Sequence, residues 1–230
     1  MDVGKAFTYW YKDPKWTMKL LLGALISIVP ILNFAWAGYT NEIIRRVTRD
    51  DSDPLPTWDD LGKFFMQGLI LVIAGLIYAL PIVLLSLIYI PIVLSTEGID
   101  SDSAAALLSG TGLILTCCLT LYGVLLSFFL PAMQVNYSRK ETFGSCFAIG
   151  EITKLVTANF GNYFIAWLAY IVFGLIVGAI AFIVTIILGW IPCIGQILAV
   201  LIYAISSPII GVVYGHLFGQ IGAQQIVAEM

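Results

Sequence analysis

The sequence predicts an all-α fold: a polytopic α-helical integral membrane bundle with four clear transmembrane helices plus an N-terminal helical hairpin or fifth span. Three observations carry this. Of the 230 residues, 60% are hydrophobic and 11% charged, where soluble domains run to roughly 45–50% and about 25%. With a mean hydropathy of +0.97, a chain this small cannot cover its surface with polar groups, so lipid must solvate much of it. Four apolar runs, at about 66–95, 105–136, 163–189 and 196–219, each reach the ~20 residues a helix needs to cross the hydrocarbon core. None shows the ten-residue alternation of a membrane barrel. Together with the N-terminal stretch they make one membrane domain over 1–230.

The first stretch, 18–45, opens "MKLLLGALISIVPILNFAWAGY" and reads two ways. It is long enough for one crossing, whereas each arm of a hairpin would be only ~18 Å long at 1.5 Å per residue. Yet "VPILN" in its middle resembles "IPCIG", which separates the last two spans, and such prolines turn a chain between helices. Charge favours the hairpin. Lys and Arg accumulate on the cytoplasmic side of a membrane, and the basic residues fall in three groups: Lys5, Lys12, Lys15 and Lys19; Arg45, Arg46, Arg49 and Lys63; Arg139, Lys140 and Lys154. A hairpin puts all 11 on one side, with the C-terminus and N-terminus both cytoplasmic; a single span moves the first group outside. The small residues around Trp36 (Ala35, Ala37, Gly38) resemble a signal-cleavage site, but the leader would be unusually long and aromatic, so the segment is expected to be retained.

The run at 66–95 exceeds one straight crossing, and Pro81 or Pro91 is expected to kink or end it. Before it, Thr57 stands three residues ahead of Asp60 in a variant capping box. Leu55, Pro56, Trp58, Asp59 and Asp60 therefore read either as a well-made helix start or as a cytoplasmic docking loop. Within 138–160, Phe143, Phe147, Ile152, Leu155 and Val156 form one apolar face, with Glu151 and Lys154 left to solvent. This predicts an interfacial amphipathic helix lying on the inner leaflet.

The last span carries Ser207, Gly211, Gly215, Gly219 and Ala223 at every fourth position, and Gly174 and Gly178 repeat the spacing one helix earlier. Lipid tails are as apolar as leucine, so helices in a bilayer associate by close packing, which small residues permit. These seven residues are read as a helix-packing seam, within the bundle or between protomers. His216, the single histidine, is expected to meet the interface or a hydrogen-bond partner rather than to handle protons.

The chain is expected not to be an enzyme and to need no cofactor. The spans carry no Asp, Glu, Lys or Arg in their central parts, where proton relays and ion pathways place them. Cys117, Cys118, Cys146 and Cys193 form no CxxC or Cys/His cluster, and no phosphate-binding or nucleophile motif occurs. Polar residues at depth, among them Asn33, Ser127 and Ser207, line a cavity or satisfy loosened backbone. The expected function is a non-catalytic membrane scaffold or accessory subunit, its partners membrane lipids, a second copy or another membrane protein, with no nucleic acid. The alternative is a small permease or lipid-handling protein for an uncharged substrate.

The lysine-led first stretch, then "IIRRV", then "LPTWDDLGKFFMQGL" and a long apolar run, resembles the uncharacterised membrane family catalogued as domain of unknown function 4013. The most specific part is Gly38, Tyr39, Arg45, Leu55, Pro56, Trp58 and Asp59. The resemblance implies a prokaryotic cell or inner membrane, and it supplies no catalytic residues.

Overall fold

The structure, a computed structural model, describes residues 1–51, 55–94, 100–191 and 194–229. It is all-α, with eight α-helices among the described residues: α1 (Val3–Thr8), α2 (Trp16–Ile28), α3 (Asn33–Thr48), α4 (Leu61–Leu94), α5 (Ser101–Lys140), α6 (Ile149–Ala158), α7 (Phe160–Gly189) and α8 (Ile194–Glu229). Four of these, α4, α5, α7 and α8, hold segments long and apolar enough to cross a membrane.

Residues 18–45 form the hairpin. Helix α2 ends at Ile28, Pro30 lies in the turn at 29–32, and Asn33 begins α3, with its N–H donating to Val29 O at 2.9 Å. The arms hold 13 and 16 residues, about 20 and 24 Å at 1.5 Å per residue, so neither spans a core of about 30 Å. The corresponding "IPCIG" turn at Pro192 and Cys193, and most of the acidic connection at 95–99, lie outside the described residues.

Helix α3 sits at the centre, in contact with α2, α4, α5 and α8, while α7 packs along α8. Two glycines let α3 and α4 cross at backbone distance. A methyl group at Gly38 would fall on the Phe64 carbonyl, and one at Gly68 would fall on the Phe34 carbonyl. The core, including Tyr39, Ile43, Phe64, Val135, Tyr163, Leu217 and Phe218, gathers at the end of the bundle that holds the basic residues. Towards the other end, Leu80, Leu87, Leu113, Leu121, Ile183 and Ile197 are exposed, as lipid-facing residues should be.

Two expectations are corrected. Of the two outcomes expected at Pro81 or Pro91, a kink or an end, the end is excluded, because both prolines lie inside the continuous α4. A helical proline leaves the carbonyl four residues earlier without its partner and crowds the turn before it. At Pro131 a neighbouring helix repairs this: Trp167 Nε1 donates to Ser127 O at 3.0 Å, the acceptor that Pro131 vacates, and so joins α5 to α7. Tyr122 OH donates to Tyr78 O at 2.8 Å, one residue past the carbonyl that Pro81 vacates, and joins α4 to α5.

The second correction concerns 138–160, which is not one helix on the leaflet. Helix α5 ends at Lys140 because Glu141 takes a left-handed conformation (φ 52°) and returns its N–H to Tyr137 O. A 3-10 turn (Phe143–Phe147) and the separate α6 follow. Ile152, Leu155 and Val156 are buried because α6 packs against α5, α7 and α8.

Gly38→Ala is expected to lower stability by about 3 kcal/mol or to prevent folding, since its methyl group meets backbone that cannot rotate away. Gly174→Ala, where a methyl group meets open space, is expected to stay within about 1 kcal/mol of the parent. Thermal unfolding in detergent distinguishes the two.

Candidate functional site

The seam on α8 is built from the inside of the bundle. A methyl group at Gly211 would stand 2.6 Å from the Trp36 ring, one at Gly215 2.7 Å from Ile43, and one at Gly219 2.6 Å from Val47. Gly23 of α2 closes on the opposite side of Trp36, at 2.7 Å, so the indole is held between two glycines. Ser207 and Ala223, at the two ends of the seam, line cavities instead. Gly174 and Gly178 have nothing within 4 Å of an added methyl group and are not part of this contact.

The segment at 55–60 also turns inward. Leu55 and Pro56 are buried, and Trp58 stacks on Tyr39 with centroids 4.3 Å apart. Tyr39 OH donates to Pro56 O at 2.9 Å, Trp58 Nε1 donates to Lys19 O at 2.9 Å, and Lys19 Nζ donates to Leu55 O at 2.8 Å while pairing with Asp13 at 2.6 Å. The loop's docking partner is thus the base of the chain's own hairpin. Asp59 and Asp60 remain exposed in the 3-10 turn (Trp58–Asp60) that leads into α4.

At the end of α3, Glu42 (side chain 5% exposed) accepts from Arg45 at 2.7 Å and pairs with Lys63 of α4 at 3.3 Å; Arg45 also bonds Glu141 at 2.6 Å. This network fastens α3, α4 and the end of α5. Burial alone would raise the Glu42 carboxyl, but the hydrogen bond and charge of Arg45, with Lys63, outweigh it and hold Glu42 below its ordinary value.

Three cavities bear on function. A groove of about 450 Å³ runs between α3, α5, α7 and α8, where Thr40, Ser127, Gln134, Tyr170, Ser207 and Tyr214 interrupt an apolar wall. Tyr214 OH donates to Gln134 Oε1 at 2.8 Å. Tyr170 lies ten residues into α7, about 15 Å along the helix and half the thickness of a ~30 Å core. On its far side Ser207 also borders a second cavity of about 410 Å³ at the hairpin tip, with Ser27, Asn33 and Tyr203. The other large cavity is a polar cleft of about 980 Å³ at the basic end, between α1, the end of α3 and α8. His216 is 4% exposed at this cleft and lies against the Tyr9 ring, with centroids 4.2 Å apart. Among the described residues no three His, Cys, Asp or Glu side chains cluster as a metal site.

Sequence reasoning had no handle on the groove as a unit. Ser127 and Ser207 stood out as polar residues at depth, but Gln134, Tyr170 and Tyr214 read as ordinary span residues. Their convergence depends on how α5, α7 and α8 pack.

A family model described as "Protein of unknown function (DUF4013)" matches residues 21–186. That range covers the hairpin, the inward-turned loop, α4 to α6 and most of α7. No curated protein and no solved structure matches the chain.

Because Glu42 titrates lower in the folded protein than its ordinary value of 4.5, its contribution to stability is complete above that value and is lost as pH falls through the folded value. The melting temperature in detergent is expected to drop on acidification below that range. Glu42→Gln is expected to flatten this part of the profile and to cost roughly 3 kcal/mol at neutral pH, since Arg45, Lys63 and Arg46 (3.5 Å from Glu42) lose this buried partner.

Proposed function

The chain belongs to the DUF4013 family, and we propose that it is a non-catalytic, multi-pass protein of the cell membrane that binds a lipid or another uncharged amphiphile in the groove between α3, α5, α7 and α8. The observation that carries this reading is the groove itself. Hydroxyl and amide groups from four helices meet about halfway into the bundle, in a chain whose spans carry no charged side chain in their central parts. A ligand site of this kind combines mostly apolar walls with a few placed polar groups that fix orientation. Acyl chains suit the walls; the Thr40 and Ser127 hydroxyls donate to Trp36 O and Val124 O and are left to accept from a glycerol hydroxyl.

The accessory-subunit reading has less support. Its two proposed contact surfaces, the glycine seam and the Trp58 loop, are both occupied by the chain itself. The groove also fits lipid handling better than ion transport, because uncharged groups line it.

The orientation follows from the basic residues. Hydrogen bonds join Asp2 to Gln220, Arg45 to Glu141 and Asn162 to Gln224. The N-terminus, the end of α3, the α5–α6 connection and the end of α8 therefore share one end of the bundle. By the excess of Lys and Arg on that end, it is cytoplasmic.

Native mass spectrometry from a mild detergent is expected to show a monomer that retains one lipid. Ser127→Phe, which fills the groove from a partly exposed position on α5, is expected to lose that lipid while keeping the helical circular dichroism of the parent. A lipid-free protein, or a lipid retained equally by the filled variant, would count against the groove.

A further inference from the structure

We infer that the cleft at the basic end is a second binding site, separate from the groove, for a compact phosphate-bearing anion. The first reason is the state of His216, which the surrounding hydrogen bonds define. Gln220 makes a reciprocal pair with the Asp2 backbone: its Oε1 accepts from Asp2 N at 2.7 Å, and its Nε2 donates to Asp2 O at 2.9 Å. That pair fixes which end of the amide is nitrogen. The same Nε2 lies 2.9 Å from His216 Nδ1, so it donates, and Nδ1 accepts. A neutral ring then carries its proton on Nε2, for which no partner stands among the described residues. Tyr9 covers a face of the ring but spends its hydroxyl on Val212 O at 2.8 Å. His216, nearly buried, lines the cleft with one hydrogen-bond donor that no protein acceptor among the described residues takes up.

The second reason is charge. Lys5, Lys12 and Arg49 line the cleft, are exposed, and have no carboxylate partner among the described residues. Of the four carboxylates around them, Asp13 is paired with Lys19 Nζ and also accepts from Lys15 N, while Asp2 caps α1 by accepting from Lys5 N and keeps its charge. Asp50 and Asp51 are exposed and uncommitted at the cleft. Three unpaired cations and one neutral donor against three charged carboxylates leave a nearly neutral cleft, which suits a compact oxyanion held by hydrogen bonds and disfavours an extended polyanion such as nucleic acid. A single phosphate is the acceptor whose oxygens suit both ammonium and guanidinium groups. It comes either as a free small molecule or as the head group of a lipid.

The single histidine makes the test direct. The full chain, labelled with 15N-histidine in detergent micelles, is titrated at constant pH and ionic strength with inorganic phosphate, and separately with phosphatidylglycerol bicelles. The His216 Nε2 resonance is expected to move saturably with at least one of them. Saturation by inorganic phosphate identifies a soluble ligand, and a response to phosphatidylglycerol alone identifies a head group. Replacing all three cleft cations (Lys5→Gln, Lys12→Gln, Arg49→Gln) is expected to weaken the response about tenfold or more, the loss of one or more charge-assisted bonds. Lys154→Gln, away from the cleft, leaves it unchanged. Asp50→Asn with Asp51→Asn is expected to tighten it. A resonance that moves with neither probe, or that moves equally in the triple variant, overturns the proposal and leaves the groove reading untouched.

Discussion

The closeness with which α3 is held between α4 and α8 is the constraint on which the rest of the structure depends. A bilayer supplies no hydrophobic drive to bring helices together, so contact has to come from packing at short range. Gly38 and Gly68 bring α3 to the α4 backbone, and Gly211, Gly215 and Gly219 receive Trp36, Ile43 and Val47. Helix α3 is poor in apolar residues for a membrane helix and buries Thr40, Asn41, Glu42 and Thr48. Surrounded by protein, it can carry the Glu42 network, the Tyr39–Trp58 stack and the base of the hairpin. Were α3 exposed to lipid, each of those polar groups would have to find a partner in hydrocarbon.

That arrangement decides which surfaces are left for function. The seam and the inward-turned loop are consumed in holding α3. What stays open is the groove, where Ser207 begins the seam and no glycine contact closes it, and the cleft, where the seam ends at Ala223. Both openings lie along α8 beside α3, one at depth and one at the basic end. The wall of the first is mostly apolar with a few hydroxyls and an amide, and that of the second carries charges. An amphiphile's apolar and phosphate parts differ in the same way.

The four spans were legible because length and hydropathy are local properties, and the hairpin was legible because basic residues reveal a side even where length is ambiguous. Packing was legible only where spacing announced it. The Ser207–Ala223 register pointed to a contact, yet the same spacing at Gly174 and Gly178 faces open space. Spacing shows that a close approach is permitted, and only a partner helix makes one. Trp58 read as a surface residue because its partners, Tyr39 and Lys19, lie 19 and 39 positions away in the chain. The break at Glu141 was hidden because a left-handed residue other than glycine leaves no mark in a hydropathy pattern. The groove was the least legible feature, since it exists only where helices far apart in sequence meet.

Sidedness labelling tests the re-entrant hairpin most directly. In a cysteine-free background, Lys5→Cys and Lys154→Cys are each treated with a membrane-impermeant thiol reagent, first on intact cells and then after opening the membrane. A hairpin puts both positions on the inner side, so both should react only after opening. Reaction of Lys5→Cys on intact cells, with Lys154→Cys protected, would mean that the first stretch crosses the membrane and would contradict the placement of α3 at the centre of the bundle.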